Sequence, residues 1–176
     1  MKTKKMTFLG LMVAYSLVLY IIEIYIPNPL IAIFPGAKLG LSNIITLISL
    51  IILGVKDTCI ILTVRIILSS IFTGPISYLL FSAGGAYLSL ISMYLASKIK
   101  DFSLIGVSII GAIGHNIGQL LVASMIVQNI NMVGYLPFML ITSLITGMFV
   151  GLVSKYCYPK LAKFSVKLLT DNNNFW

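Results

Sequence analysis

The sequence predicts an all-α integral membrane protein, a bundle of six transmembrane helices with both termini on the cytoplasmic side. Composition is the first observation: 59% of the 176 residues are hydrophobic and 9% are charged, whereas soluble domains carry about a quarter charged residues. The second is the division of the chain by Gly, Pro and Lys into apolar stretches of membrane-crossing length. The third is the uneven distribution of lysine between the two ends of the expected bundle.

The six spans belong to one membrane domain, residues 1–158. They are expected at residues 7–26, 40–55, 58–72, 76–97, 103–127 and 136–156. The first follows a basic start, as a signal peptide does, but no small-residue cleavage site comes after it, so we expect it to be retained. The apolar connection 27–39 is expected to form an extracellular lid. The remaining residues, 159–176, are expected to form an interfacial tail in the cytoplasm.

The cations determine the expected orientation. Ten lysines fall on the side of the termini, Lys38 alone falls opposite, and Arg65 lies inside a span. By the positive-inside rule the termini are cytoplasmic and the lid is external, in a multi-pass protein of the bacterial plasma membrane. The net charge of +8 does not indicate nucleic acid, because the cations are spread over loop ends without an aromatic-rich polar surface. Cys59 and Cys157 show no spacing that implies a disulfide or a zinc site.

The stretch from Pro35 to Asn43 separates the first two long apolar runs. Pro35 and Gly36 bend the chain, and Lys38 lies just before the start of a new helix. Free N–H groups and the helix dipole at such a start favour an anion, so this is a candidate binding turn that includes Ser42 and Asn43. The alternative is ordinary turn chemistry with a lysine that extends to the membrane surface.

Two charges lie within the expected spans. Glu23 falls one turn below the outer end of the first span, and Arg65 near the middle of the third. Because an ionisable group in the bilayer costs several kcal/mol, each needs a partner or a function. They form either a buried ion pair that fixes helix packing or a site in which Glu23 orients Arg65 toward a ligand anion.

The fifth span adds His115, Asn116 and Gln119, interleaved with glycines. Spacings of three and four residues predict that the three side chains share one face of the helix. They line either a wet cavity or, for the histidine, an ordinary packing position; the glycines alone indicate only close helix packing.

The polar candidates all fall from the middle of the membrane outward, which predicts a pocket that opens outward and favours an anionic or strongly dipolar ligand. The set comprises Glu23, Lys38, Ser42, Asn43, Arg65, His115, Asn116 and Gln119. In the inner half, Gly10 and Ala14, and likewise Gly147 and Gly151, are spaced by four. Small residues at that spacing permit close contact between helices, within the protein or with a partner.

These motifs together resemble the Gx transporter family, labelled heptaprenyl diphosphate synthase component I and related to the substrate-binding S components of energy-coupling factor (ECF) transporters. The resemblance covers residues 6–156 and rests on four features in order: Pro35 to Asn43, Lys56-Asp57 with Arg65 nine residues on, Ser82 to Gly85, and Gly111 to Gln119.

The resemblance implies an S-component-like fold of six helices and a small-molecule substrate. It implies ATPases as partners, and a transmembrane coupling subunit that Gly10 and Ala14 would meet. It implies no cofactor.

The synthase label conflicts with the residues as a description of catalysis. Prenyl chain elongation uses aspartate-rich motifs to hold magnesium, and the four acidic residues here are distant from one another in sequence. No Walker P-loop is present, so ATP hydrolysis requires partner subunits. We therefore expect a non-enzymatic uptake subunit. The alternative is a non-catalytic membrane subunit associated with isoprenoid or menaquinone biosynthesis or with flavin-based extracellular electron transfer. A channel is a third hypothesis, which the mixed polar lining disfavours.

Overall fold

The computed structural model describes residues 2–26, 40–73 and 76–170, and this part of the chain is helical with no strand. The elements in order are α1 (Lys2–Tyr25), α2 (Asn43–Leu53), α3 (Val55–Thr73), α4 (Ile76–Ser97), α5 (Leu104–Val127), a 3-10 turn (Ile130–Tyr135) and α6 (Leu136–Thr170). The expected lid and Lys38 lie outside the described residues.

Four helices are long and apolar enough to cross a membrane. They lie within Thr3–Tyr25, Leu79–Ser97, Leu104–Val127 and Ile130–Leu169. The finding supports an integral membrane protein. The other two expected spans are α2 and α3. Helix α2 has 11 residues and measures only about 16 Å, whereas α3 includes Lys56, Asp57 and Arg65. Six crossings and the orientation of the termini therefore remain predictions.

Helix α2 is the centre of the bundle. It packs on α1, α3, α4 and α6, and every residue from Asn43 to Leu50 is buried. Its sequence is apolar on nearly all sides, which is the pattern of a helix surrounded by protein. The largest apolar cluster joins it to α1, α3 and α6 through Met12, Ile48, Ile61 and Val150.

The turn between α2 and α3 lies at Gly54, and not at residues 56 and 57 between the expected second and third spans. Gly54 has a φ of 80°, and its N–H donates to the Leu50 carbonyl, which ends α2. Both Lys56 and Asp57 lie in the first turn of α3, where a carboxylate is favoured by the helix dipole. Asp57 also accepts an ion pair from Lys5 at 2.8 Å, which joins the start of α1 to the start of α3.

The last helix does not end before Pro159, contrary to the expected boundary of the sixth span. It is continuous to Thr170, a length of about 52 Å. The proline removes one backbone hydrogen bond, but the residues beyond it pack onto the start of α1. The rings of Phe8 and Phe164 lie 6.2 Å apart, and Leu161 and Leu168 contact the same apolar cluster. Tertiary packing therefore keeps the helix intact through the proline.

Candidate functional site

Glu23 lies in the last turn of α1 and is bound by backbone groups at the start of α2. Its side chain is buried, with Oε1 accepting from the Gly40 N–H at 2.7 Å and Oε2 from the Leu41 N–H at 3.0 Å. Gly40 has a φ of 78°, a conformation that glycine adopts without strain. The carboxylate therefore lies at the turn just before the helix, in the stretch where the sequence predicts a binding site for an anion.

The neighbouring backbone donors at this helix start are also used within the protein. The Asn43 N–H donates to the Gly40 carbonyl at 2.8 Å, and the Ile44 N–H donates to the Leu41 carbonyl at 3.1 Å. A ligand at this turn would consequently be bound by side chains and not by these backbone donors.

Arg65 extends from α3 toward the same turn and is 2% exposed. Its Nη1 donates to Ser42 Oγ, and Tyr20 and Glu23 lie close enough to interact with the guanidinium electrostatically. Two buried polar atoms of Arg65 and of Asn43, which follows Ser42, have no partner among the described residues: Arg65 Nε and Asn43 Oδ1. We call Tyr20, Glu23, Ser42, Asn43 and Arg65 the arginine cluster.

The arginine cluster brings together four of the predicted site residues and adds Tyr20. It unites Glu23 and Arg65 as the sequence suggested, although Glu23 is also engaged by the backbone. Sequence reasoning missed Tyr20, which is 3% exposed. A signal was present, since Tyr20 precedes Glu23 by three residues and so shares its side of α1.

His115 and Gln119 lie together against α4. Both are buried, and a Cβ added to Gly85 would lie 3.0 Å from His115 Cε1 and 2.7 Å from Gln119 Cγ. Asn116 turns away from them: its Nδ2 donates to the Met139 carbonyl at 3.0 Å and to Ser143 Oγ at 2.7 Å.

The prediction that these three residues share one face is therefore wrong. Consecutive residues differ by about 100° around a helix, which directs Asn116 to α6 while His115 contacts α4. The amide of Asn116 joins two helices.

The two pairs of small residues have different surroundings. Gly10 and Ala14 are exposed on α1, and nothing lies within 4 Å of a Cβ added to Gly10. The glycines of α6 instead face α5. A Cβ added to Gly147 would lie 2.6 Å from the Ile109 Cα, and a Cβ added to Gly151 would lie 2.8 Å from the Ile105 Cα.

A comparison with protein-family models matches residues 12–157 to heptaprenyl diphosphate synthase component I. The chain belongs to this family. The match covers the arginine cluster, the His115 and Gln119 pair, and all six helices at least in part. The resemblance inferred from the motifs is confirmed for this family. The comparisons with curated proteins and with solved structures give no match.

Proposed function

We propose that this family member is a membrane-embedded substrate-binding subunit that takes up a small anionic or amphipathic solute, as S components of ECF transporters do. The arginine cluster is the observation that supports this most strongly. The Arg65 guanidinium is 2% exposed, and its Nε has no hydrogen-bond partner in the part of the chain that the structure describes. Such a group is well suited to bind an anionic group, since charged hydrogen bonds strengthen where water is excluded.

The cluster also indicates which groups a ligand would need. Arg65 offers an N–H donor and Asn43 offers an amide oxygen, so the best ligand presents an acidic oxygen beside a hydrogen-bond donor. The charge of Glu23 partly balances that of Arg65, which favours a ligand with one acidic group over a highly charged one. Lys38 is proposed to add a second positive charge from the lid, and His115, Gln119 and Asn116 are proposed to complete the lining.

The exposed pair Gly10 and Ala14 is the proposed contact with a transmembrane coupling subunit. Two small residues on an otherwise apolar helix surface let another helix approach closely, and the open space at Gly10 leaves that approach free. ATPases bound to the coupling subunit would supply the energy. The protein would lie in the bacterial plasma membrane with six crossings and cytoplasmic termini, as the lysine distribution favours.

We propose that the chain is not an enzyme by itself. Glu23 is bound near the end of α1, whereas Asp57 pairs with Lys5 near its beginning, and these positions are about 27 Å apart along the helix. Carboxylates so separated cannot share the magnesium ions of a prenyl diphosphate.

A second candidate is favoured by the family's own description, which names a synthase component. Under it, the chain is a non-catalytic membrane subunit of isoprenoid or menaquinone biosynthesis, or of flavin-based extracellular electron transfer. Isolation of the protein with its native partners separates the two candidates. ATPases and a coupling protein support uptake, whereas a prenyl synthase or a redox protein supports the second.

Binding is tested by native mass spectrometry of the purified protein, followed by binding of any molecule retained. Arg65→Ala should weaken an acidic ligand by about 1.5 to 3 kcal/mol, the range for a charged hydrogen bond. Arg65→Lys keeps the charge but loses the planar set of donors, so we expect an intermediate loss. A folded Arg65→Ala protein with unchanged affinity would show that Arg65 is structural.

A further inference from the structure

Four serines have buried hydroxyl groups with no hydrogen-bond partner among the described residues: Ser49, Ser89, Ser108 and Ser154. Ser49 lies in α2, and the other three lie in α4, α5 and α6. Ser89 and Ser154 are 0% exposed and Ser108 is 3% exposed, and each Oγ lacks a partner. Serines in helices often donate to a carbonyl one turn earlier, as Ser97 and Ser165 do here at 2.8 and 3.0 Å. Contacts among the described residues therefore leave the hydroxyls of Ser89, Ser108 and Ser154 unsatisfied.

Ser108 points toward the interior of the bundle, between two packed faces of α5. At about 100° per residue, Ser108, His115 and Gln119 fall within about 40° of one another around the helix axis. On one side of these three residues the surface of α5 packs on α4, where a Cβ added to Gly118 would lie 2.3 Å from the Gly84 carbonyl. On the other side, α5 packs on α6 through Ile105 and Ile109, which face Gly151 and Gly147.

Ser154 lies near Ser108 across the contact between α5 and α6. A Cβ added to Gly151 would lie 3.0 Å from Ser108 Cβ. Because Ser154 follows Gly151 by three residues, it lies on the same side of α6, about one turn further along. Both serines are therefore at the end of the bundle where α5 begins.

Ser89 lies further from the start of α5 than Ser108 does, at about the same depth in the bundle as His115. A Cβ added to Gly85 would contact His115 Cε1 at 3.0 Å, and Ser89 follows Gly85 by four residues on the same side of α4. Met93 follows Ser89 by four residues on α4, and its side chain would contact a Cβ added to Gly111 of α5. The order of depth, from the start of α5 toward the centre, is therefore Ser154, Ser108, Ser89 and His115.

We propose that these three serines line a water-filled seam that leads from the cytoplasmic end of the bundle to His115. An unbonded hydroxyl is costly in an apolar interior, and buried waters form about three hydrogen bonds each to such groups. The hydroxyls of Ser89, Ser108 and Ser154, at successive depths, are the groups to which such waters would bind. The seam gives water, and with it protons, access to His115 from the side opposite the expected lid, and it does not depend on the substrate proposed above.

Because the chain has a single histidine, exchange of the imidazole C2 hydrogen for deuterium, followed by mass spectrometry, reports on His115 alone. We expect measurable exchange in the purified full chain, and exchange slower by about tenfold in Ser108→Val and Ser154→Val, in which methyl groups displace water. Ser165→Val is the matched control: Ser165 is equally buried, but its hydroxyl is bonded to Ala162 and lies outside the seam. A His115 that exchanges only after unfolding, or equally in all variants, would overturn the proposal.

A second measurement applies if the valine variants do not fold. Ser108→Ala and Ser154→Ala remove only the hydroxyl. In a hydrated seam the change deprives water of a partner, and we expect a lower Tm in detergent. In a dry seam it removes an unsatisfied group, so an unchanged or raised Tm in both variants would contradict the seam.

Discussion

Charged side chains join helices α1 to α3 at both ends of their apolar core, whereas helices α4 to α6 approach one another at glycines. We call α1 to α3 the charged half and α4 to α6 the glycine half. At one end of the charged half, Lys5 pairs with Asp57; at the other, Glu23 accepts two backbone N–H groups and Arg65 donates to Ser42. Each of these contacts depends on a long side chain that can exchange one partner for another.

In the glycine half the backbones themselves are close. A Cβ added to Gly118 would lie 2.3 Å from the Gly84 carbonyl, and one added to Gly147 would lie 2.6 Å from the Ile109 Cα. Such distances leave no room for a side chain, and in a membrane close backbone packing is a main source of helix association.

The difference suggests that the two halves of the bundle have different roles in ligand binding. Contacts between backbones fix one geometry, since any displacement loses many small attractions at once. Charged contacts respond to a new partner, because a ligand anion competes directly for the same donors. We therefore expect ligand binding to rearrange the charged half around the arginine cluster, with the glycine half as a rigid support.

The largest effect is expected for Glu23→Ala in the charged half. The change leaves the Gly40 and Leu41 N–H groups without their acceptor and removes a negative charge near Arg65. Breaking such a buried set typically costs about 3 to 5 kcal/mol, to be measured as the free energy of unfolding in mixed micelles. Glu23→Gln keeps one acceptor oxygen and should lose less. Equal stability of the alanine variant and the native chain would refute the structural role of Glu23.

Gly118→Ala tests the glycine half. The added methyl would meet the Gly84 carbonyl, and overpacking of this kind costs about 1 to 3 kcal/mol. Gly10→Ala is the control in open space, where replacing a helix glycine should gain about 0.5 to 1 kcal/mol. Similar stability changes in the two variants would mean that the glycine half is not tightly packed.

Asn116→Ala tests the polar contact within the glycine half. It removes the bonds to Met139 and Ser143, and hydrogen bonds between membrane helices contribute about 0.6 to 1.7 kcal/mol. Ser124→Ala, which removes an exposed hydroxyl bonded within its own helix, should have little effect on Tm. If Asn116→Ala changes ligand affinity but not stability, the amide belongs to the binding site instead of the helix contact.

The sequence predicted the elements well where a single strong signal acts. Ser103 accepts from the Gly106 N–H and begins α5, and α4 ends at Ser97 as expected. The need of Glu23 and Arg65 for partners also followed from the cost of burying charge. The backbone partners of Glu23 did not follow, because these donors are 17 and 18 residues away in the sequence.

Helix rotation and helix ends were the other failures. Spacing alone does not say which neighbour a face meets, so Asn116 was grouped with His115 although it contacts α6. A proline in the sequence predicts a helix end, but the pairing of Phe8 with Phe164 overrides it. Both outcomes depend on contacts between distant parts of the chain.

The smallest effect is expected for Lys5→Ala, at the end of the charged half where α1 begins. The Lys5 side chain is 47% exposed and its partner Asp57 is 15% exposed, so water screens the pair and its contribution should stay below about 1 kcal/mol. The loss should shrink further at high salt, and a double-mutant cycle with Asp57→Ala isolates the pair, with Lys160→Ala as the exposed control. A coupling energy as large as the effect of Glu23→Ala would mean that both ends of the charged half are equally desolvated. In that case burial would no longer distinguish the arginine cluster from an ordinary ion pair.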